Sequence, residues 1–598
     1  MFIELANQFN TAFSTFTPFT TTESKPSLIS LDKPFQDELI SLGETYLEYH
    51  FACLSATSFM NFTRTGNRTD YEEIYFNKRR ALNALVMAEC IENKGRFTDS
   101  IINGIFSICE ESAWQLPAHN SYIRDTPQLI LPDSTLPILD LFAGETGAQL
   151  AMIRYLMNDK LNSVSPVIVK RIEAELNSRI LQPYQSCHFW WMGNGDEPMC
   201  NWTIWCTQNI LITAFLLPLS EEEKSFIFRK ACQSVDYFLK DYGGDGCCDE
   251  GAQYYRHAGL CLFNTMEVLN AITNNHFVSL YANKKIKNIA SYILNVHVSD
   301  EYYINFADCS PIAGRAGVRE FLFGKRTQNS QLMKFAAMDY KADPNQLLTE
   351  EINLFYRIQA AFSREEILAY DTTGGLAHQD IYYESVGIFK VHDTNTCLAV
   401  KSGDNDDSHN HNDTGSFTIY KNNKPLFIDA GVESYSKKTF SPQRYEIWTM
   451  QSSYHNLPEI DHTMQMNGSE YKTVEVQTTF EEKQASISMN IAPAYPLKKL
   501  EYYNRTVTLN RNKNIVLTDS WSGCQDVVLN FLTYNKPVIY STNLILIGSL
   551  GTAHMEGAAF IDIEEIPITD KRLQIAWKHN IYRIKITATH NSFLMTIE

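Results

Sequence analysis

The stretch Ser408-His409-Asn410-His411-Asn412-Asp413-Thr414-Gly415-Ser416-Phe417 sets two histidines and an acid within five residues. Asp429 follows in PLFIDAG, where Gly431 allows a sharp change of chain direction, and His455 follows in SSYHN. Residues two apart on a strand point to the same face, so His409 and His411 are expected side by side. Two of the three imidazoles (His409, His411, His455) and the Asp429 carboxylate, brought together from neighbouring strand ends, would make a zinc site, with water or a further side chain as fourth ligand. The same spacing suits a polar strand edge whose histidines bond to Asp413 or to backbone. Spacing alone leaves both readings open.

Other polar features are weaker. Arg315 and Arg319, in CSPIAGRAGVRE, can hold a carboxylate or sulfate, or can cap a helix or pair with an acid; Arg444, in SPQRYEIW, has the same two readings. Asp406 and Asp407 read as solvated turn residues. GDNDD at 403–407 lacks the later Gly and Glu of a calcium-binding EF-hand loop. No phosphate-binding or dinucleotide fingerprint stands out.

The elements that must position these residues fall into two halves. Apolar residues recur at helical spacing over 71–91, 136–157, 167–181, 204–217 and 222–239, separated by short polar connections. Repeated helices of this size over the first half suggest an array of paired helices, an incomplete (α/α) toroid. Near residue 380 the period changes to two. Strands are expected over 385–391, 396–402, 416–420, 426–429, 474–480 and 485–491, and then in RTVTLN, NIVLTDSW, DVVLNFLTY, LILIGS, AAFIDIEEI, RLQIAWKH and YRIKITAT. The expected fold class is multidomain α+β. A helical toroid domain spans 1–365, an antiparallel β-sandwich with the histidines 366–500, and a smaller C-terminal β-sheet domain 501–598.

Composition narrows the function. A chain of 598 residues needs several cores, and a formal charge of -18 argues against nonspecific nucleic-acid binding. No apolar run long enough to span a membrane is present. The N-terminus, MFIELANQFNTAF, does not read as a secretory signal, and the 13 cysteines form no CxxC pair. A cytoplasmic location is expected, with a periplasmic protein that has lost its signal as the alternative.

The segment HNHNDTGSFTIYKNNKPLFIDAGVESY, followed by SSYHN and MQMNG, resembles the heparinase II/III-like family of polysaccharide lyases. LPILDLFAGETGAQLA, Asn201-Trp202 and DGCCDEGAQYYRHAG resemble, in order, stretches of that family's helical domain. The resemblance covers scattered blocks between about residues 135 and 480. It implies that His411, Asp429 and His455 bind a zinc ion that braces the active site. It further implies that His409 is a catalytic histidine, that Tyr254 is the acid or base with Tyr255 as a one-residue alternative, and that Asn201 helps neutralise a substrate carboxylate. Some relatives carry a histidine beside that asparagine, where this chain has Trp202; its indole is either a wall for a sugar ring or core.

The implied reaction is β-elimination on a uronic-acid glycan: the C5 proton is removed, the C4 oxygen leaves, and a 4,5-unsaturated uronic acid end results. A donor such as Asn201, helped by His409 or an arginine, lowers the cost of charge building on the carboxylate, and a tyrosine can move one or both protons. The expected partner is an acidic polysaccharide or oligosaccharide, of low sulfation given the acidic chain; no nucleic acid or membrane is expected, and an oligomer is compatible with the sequence. The competing readings are a zinc-dependent glycan hydrolase and a noncatalytic glycan-binding protein.

Overall fold

The computed structural model describes residues 1–19, 28–344 and 349–598. The chain forms two compact units. One comprises Met1–Tyr242, His257–Asn283 and Ala316–Thr373; the other comprises Gly243–Arg256, Lys284–Arg315 and Gly374–Glu598.

The first unit is helical. Thr69–Glu92, Leu141–Val164, Asn201–Phe215 and Gly259–Ile272 are buried on most of their circumference, as helices with neighbours on several sides must be. Each of the first three carries a more amphipathic partner on its outside: Thr98–Cys109 on Thr69–Glu92, Pro166–Leu176 on Leu141–Val164, and Glu221–Asp241 on Asn201–Phe215. The inner helices also pack on one another, Leu141–Val164 on Asn201–Phe215 and that helix on Gly259–Ile272. This is the paired-helix array expected from the periodicity. The helix expected from residue 136 begins at Leu141, because the Asp140 side chain accepts from the Ala143 amide at 2.7 Å and caps it. Ser220 and Glu223 form a reciprocal capping box at the start of Glu221–Asp241. No helix among the described residues is long and apolar enough to cross a membrane.

The second unit is built on two antiparallel sheets. The first contains β1 (Ile381–Tyr383), β2 (Ile388–His392), β3 (Thr396–Lys401), β4 (Phe417–Lys421), β5 (Lys424–Phe427), β6 (Pro458–Ile460), β7 (Val527–Thr533), β8 (Ala558–Ile566) and β9 (Ile581–Ala588). Its order is β8-β9-β7-β5-β4-β3-β2-β1, with β6 also pairing with β7. The second sheet has eight strands drawn from residues 474–597. Phe389, Leu398, Phe417 and Phe531 of the first sheet share a buried core with Val507, Leu517, Phe593 and Ile597 of the second. Full burial of such side chains contributes about 1.5–3 kcal/mol each, and period-two alternation in the strands, as in Tyr502–Asn510, supplies them.

Three features differ from the sequence-based expectation. The boundary at residue 500 falls between Gln484–Asn490 and Tyr502–Asn510, which pair residue for residue along their lengths, while β7 to β9 return to the first sheet. RLQIAWKH at 572–579 is not a strand. Asp570 accepts from the Arg572 and Leu573 amides at 2.9 and 3.1 Å and starts the short helix Leu573–Ala576. Finally, residues 243–256 and 284–315, expected within the helical domain of 1–365, pack in the β unit. There the Lys390 ammonium donates to the His297 carbonyl at 2.9 Å, and the Asn295 amide donates to the Tyr383 hydroxyl at 3.0 Å.

Candidate active site and metal centre

Residues 406–416, between the short strand Asp404–Asn405 and β4, carry the histidine motif as a loop, and His409 has a left-handed backbone (φ 58°). The expected strand begins only at Phe417. His409 and His411 nevertheless meet, through one carboxylate. His409 Nδ1 lies 2.9 Å from Asp308 Oδ2, and His411 Nε2 lies 3.0 Å from Asp308 Oδ1. The second ring nitrogen of His409 is 3.3 Å from Glu250 Oε2. Burial by itself would depress the His409 imidazolium, but its hydrogen bonds to Asp308 and Glu250 outweigh that and hold its pKa well above the ordinary value. Burial likewise opposes ionisation of Asp308, and the hydrogen bonds to His409 and His411 overcome it, leaving this carboxyl well below the usual range.

Tyr254 stacks on His409, with ring centroids 4.9 Å apart and planes at 22°. Its hydroxyl is 2.7 Å from the hydroxyl of Tyr435, which donates to Asp308 Oδ2 at 3.1 Å. The Arg572 guanidinium covers the Tyr435 ring at 4.6 Å and donates to the Asp308 carbonyl at 3.1 Å. Tyr255, the one-residue alternative, is fully buried and donates to the Ala290 carbonyl at 3.2 Å. It is a core residue, and Tyr254 is the tyrosine facing His409.

Behind His411 lies the second cluster. One ligand atom from each of His411, Asp429 and His455 falls within 4.8 Å of the others, and all three residues are buried. His455 Nδ1 is 2.8 Å from Asp429 Oδ2, while Asp429 Oδ1 accepts from the Gly431 amide at 2.8 Å. His411 Nε2 is occupied by Asp308, and its buried Nδ1 has no hydrogen-bond partner. An imidazole held at one nitrogen by a carboxylate, with the other nitrogen open, is the arrangement of metal-ligating histidines, and two imidazoles with a carboxylate suit zinc. The cluster can therefore hold a metal ion. Gly431 makes the turn after Asp429 (φ 81°), and a Cβ there would lie 2.9 Å from the Cys309 carbonyl. The chain carrying Asp308 and the chain carrying Asp429 can approach this closely only at glycine.

The remaining expected residues are placed as follows. Arg444 is buried and engaged at each nitrogen: Nε donates to the Asn410 carbonyl at 3.0 Å, Nη1 to the Thr439 carbonyl at 3.1 Å, and Nη2 to Asp308 Oδ1 at 2.6 Å. In this position it braces the histidine loop, with one hydrogen bond from each of its three nitrogens. Arg315 lies 3.7 Å from Glu301. Asn201, Trp202 and Arg319 belong to the helical unit. Asn201 opens the helix Asn201–Phe215; Trp202 meets His119 edge-on at 4.6 Å and Trp190 at 5.1 Å, and is half-buried; Arg319 stacks on Tyr356 at 4.0 Å.

Asp308, Glu250 and Tyr435 were not anticipated. Glu250 and Tyr435 lie within segments that carry the family resemblance, DGCCDEGAQYYRHAG and DAGVESY, whereas Asp308, in INFADCSP, has no local signature.

Residues 377–531 match the family described as Heparinase II/III-like, C-terminal. The match covers a segment of the second unit, which is therefore similar to the C-terminal domain of that family. The histidine loop, Asp429 and His455 all lie inside the matched residues, so the cluster that can hold a metal ion falls within the matched segment. Solved structures extend the likeness of fold. A heparinase III is 12% identical over 99% of this chain and 88% of that one, with a TM-score of 0.61. The heparan sulfate lyase of Pedobacter heparinus is 12% identical over 100% of this chain and 86% of that one, with a TM-score of 0.57. A chondroitin AC lyase of Streptomyces coelicolor is 8% identical over 100% and 82%, with a TM-score of 0.53. No curated protein sequence matches the chain.

Proposed function

We propose that this heparinase II/III-like protein is a polysaccharide lyase that cleaves a uronic-acid-containing glycan by β-elimination, with a zinc ion bracing the site. The observation that carries the reading is the stacked Tyr254–His409 pair, joined through Tyr435 and Asp308 to the buried His411–Asp429–His455 cluster. Solved structures of the same fold are named as heparinase III, heparan sulfate lyase and chondroitin AC lyase, which supports a substrate of that chemical class.

The residues divide the work in a consistent way. A tyrosine has an ordinary pKa near ~10, so a tyrosinate base needs help. His409, held in its charged form by Asp308 and Glu250, sets a cation against the Tyr254 ring, and the Tyr435 hydroxyl can turn its proton toward the Tyr254 oxygen. Tyr254 then takes the C5 proton and returns it to the C4 oxygen as the glycosidic bond breaks, provided the two groups lie on one side of the ring. Asn201 is assigned to the carboxylate, where an amide donor stabilises the charge that accumulates during proton removal. Trp202 is assigned to a sugar face; Arg315 and Arg319 remain candidate partners of an anionic group. Bound at His411, Asp429 and His455, zinc would supply positive charge and cross-links between the loops.

We further assign the substrate to the low-sulfate or unsulfated end of the class, on the charge of -18 and on the pairing of Arg444 with Asp308 of the protein itself. Incubation with a panel of uronic-acid polymers and their oligomers, followed by ultraviolet absorbance of the conjugated uronate, tests the reading. A rise with at least one substrate is expected. Cleavage products that carry reducing ends but lack that absorbance would mean hydrolysis instead.

A further inference from the structure

Arg505 and Asp519 face each other in register on Tyr502–Asn510 and Asn514–Ser522 of the second sheet, and neither side chain is exposed (0% and 0%). The guanidinium binds the carboxylate at two points, Nε to Oδ1 at 2.9 Å and Nη2 to Oδ2 at 2.7 Å, and Tyr503 adds a third donor at 2.9 Å. The remaining nitrogen, Nη1, donates to two backbone carbonyls: Gly415 at 2.9 Å and Asn456 at 2.7 Å. Gly415 ends the loop that carries His411, and Asn456 directly follows His455. The Asn456 side chain continues the network. Its amide donates to the carbonyl of Ile428, the residue before Asp429, at 3.1 Å, and its oxygen accepts from the Leu532 amide at 2.8 Å.

A buried ion pair is a poor investment in stability, because desolvation cancels most of the attraction, and apolar replacements are often neutral or stabilising. What an apolar pair cannot do is satisfy two buried carbonyls from loops that have no sheet partners there. A planar fork with five donors can. We propose that Arg505 is a positioning residue, which from the second sheet preorganises the loops bearing His411 and His455 for metal capture; the metal part rests on the zinc reading above.

The test compares the full-length protein with Arg505→Lys and with the double replacement Arg505→Met/Asp519→Leu. Hydrogen exchange is measured on zinc-free protein over 406–416 and 450–457, and zinc affinity by competition with a chromogenic chelator. In a variant with native circular dichroism and a cooperative melt, both loops are expected to exchange faster. Strands Tyr502–Asn510 and Asn514–Ser522 should stay protected, and the zinc Kd should rise about tenfold to a hundredfold, the usual effect of losing a support behind the ligands. Native exchange in both loops of a folded variant would overturn the proposal, as would native zinc affinity in loosened loops. If the unaltered protein takes up no zinc while the variants still loosen both loops, the zinc reading fails and the clamp stands. Failure of both variants to fold would also overturn it, since the ion pair would then serve folding and not loop position.

Discussion

Asp308 accepts from Arg444 and Tyr435 and pairs with His409 and His411. Two of these partners lie 101 and 103 residues away in the chain. Hence the motif around His409 is legible in sequence and the carboxylate that organises it is not: a cluster of histidines is a local pattern, but a lone aspartate acquires its role only when the chain folds back. Replacing Asp308 by Asn leaves Arg444 with no counter-charge for its shortest contact, and removal of one partner from a buried pair costs roughly 3–5 kcal/mol. Denaturant unfolding should register that loss, whereas a change under about 1 kcal/mol would contradict the assigned hub role. Tyr254 makes the complementary prediction. Tyr254→Phe removes the hydroxyl while keeping the stacked ring, so turnover should fall about a hundredfold to ten-thousandfold with the melting temperature unchanged. Turnover near the native level in a folded Tyr254→Phe protein would exclude this tyrosine as the acid or base.

The loops between strands decide whether these side chains meet. Strand positions were readable because alternation in segments such as 485–491 reports burial on one face. The loop conformation at His409 was not, since the residues that fix it, Asp308 and Arg444, come from elsewhere in the chain. RLQIAWKH misled for a related reason. Its apolar residues suit a strand, but Asp570 just ahead of it caps a helical turn, and Trp577 after that turn is buried among Ile428, Ala430 and Leu532. Gly431 is the loop position where substitution is most informative. Its left-handed φ and the nearby Cys309 carbonyl mean that Gly431→Ala should destabilise by about 1–2 kcal/mol from backbone strain alone. It should also weaken metal binding, because the displaced chain carries Asp429. A thermal melt and a zinc titration of the same variant check both expectations; normal zinc affinity would separate the turn from the metal cluster.

At the scale of the molecule, helix followed by sheet was apparent from the change of period near residue 380, while the membership of residues 243–256 and 284–315 was not. Periodicity reports which residues are buried, but not which unit buries them. Metal binding provides a prediction for the whole chain. A ligand taken up only by the folded state stabilises it by about 2.7 kcal/mol when present at a hundred times its Kd, so zinc should raise the melting temperature and a chelator should reverse the shift. His411→Ala should abolish the response. A zinc-induced shift that survives in His411→Ala would place the ion elsewhere.

The central claim is elimination, and one measurement addresses it most directly: cleavage in water enriched in heavy oxygen, with products weighed by mass spectrometry. Elimination adds no water across the broken bond. Fragment masses should therefore sum to that of the intact chain, with no heavy oxygen incorporated and with one unsaturated uronic acid end for each cut. Products heavier by one water, carrying the label at the new end, would contradict the account and make the protein a hydrolase.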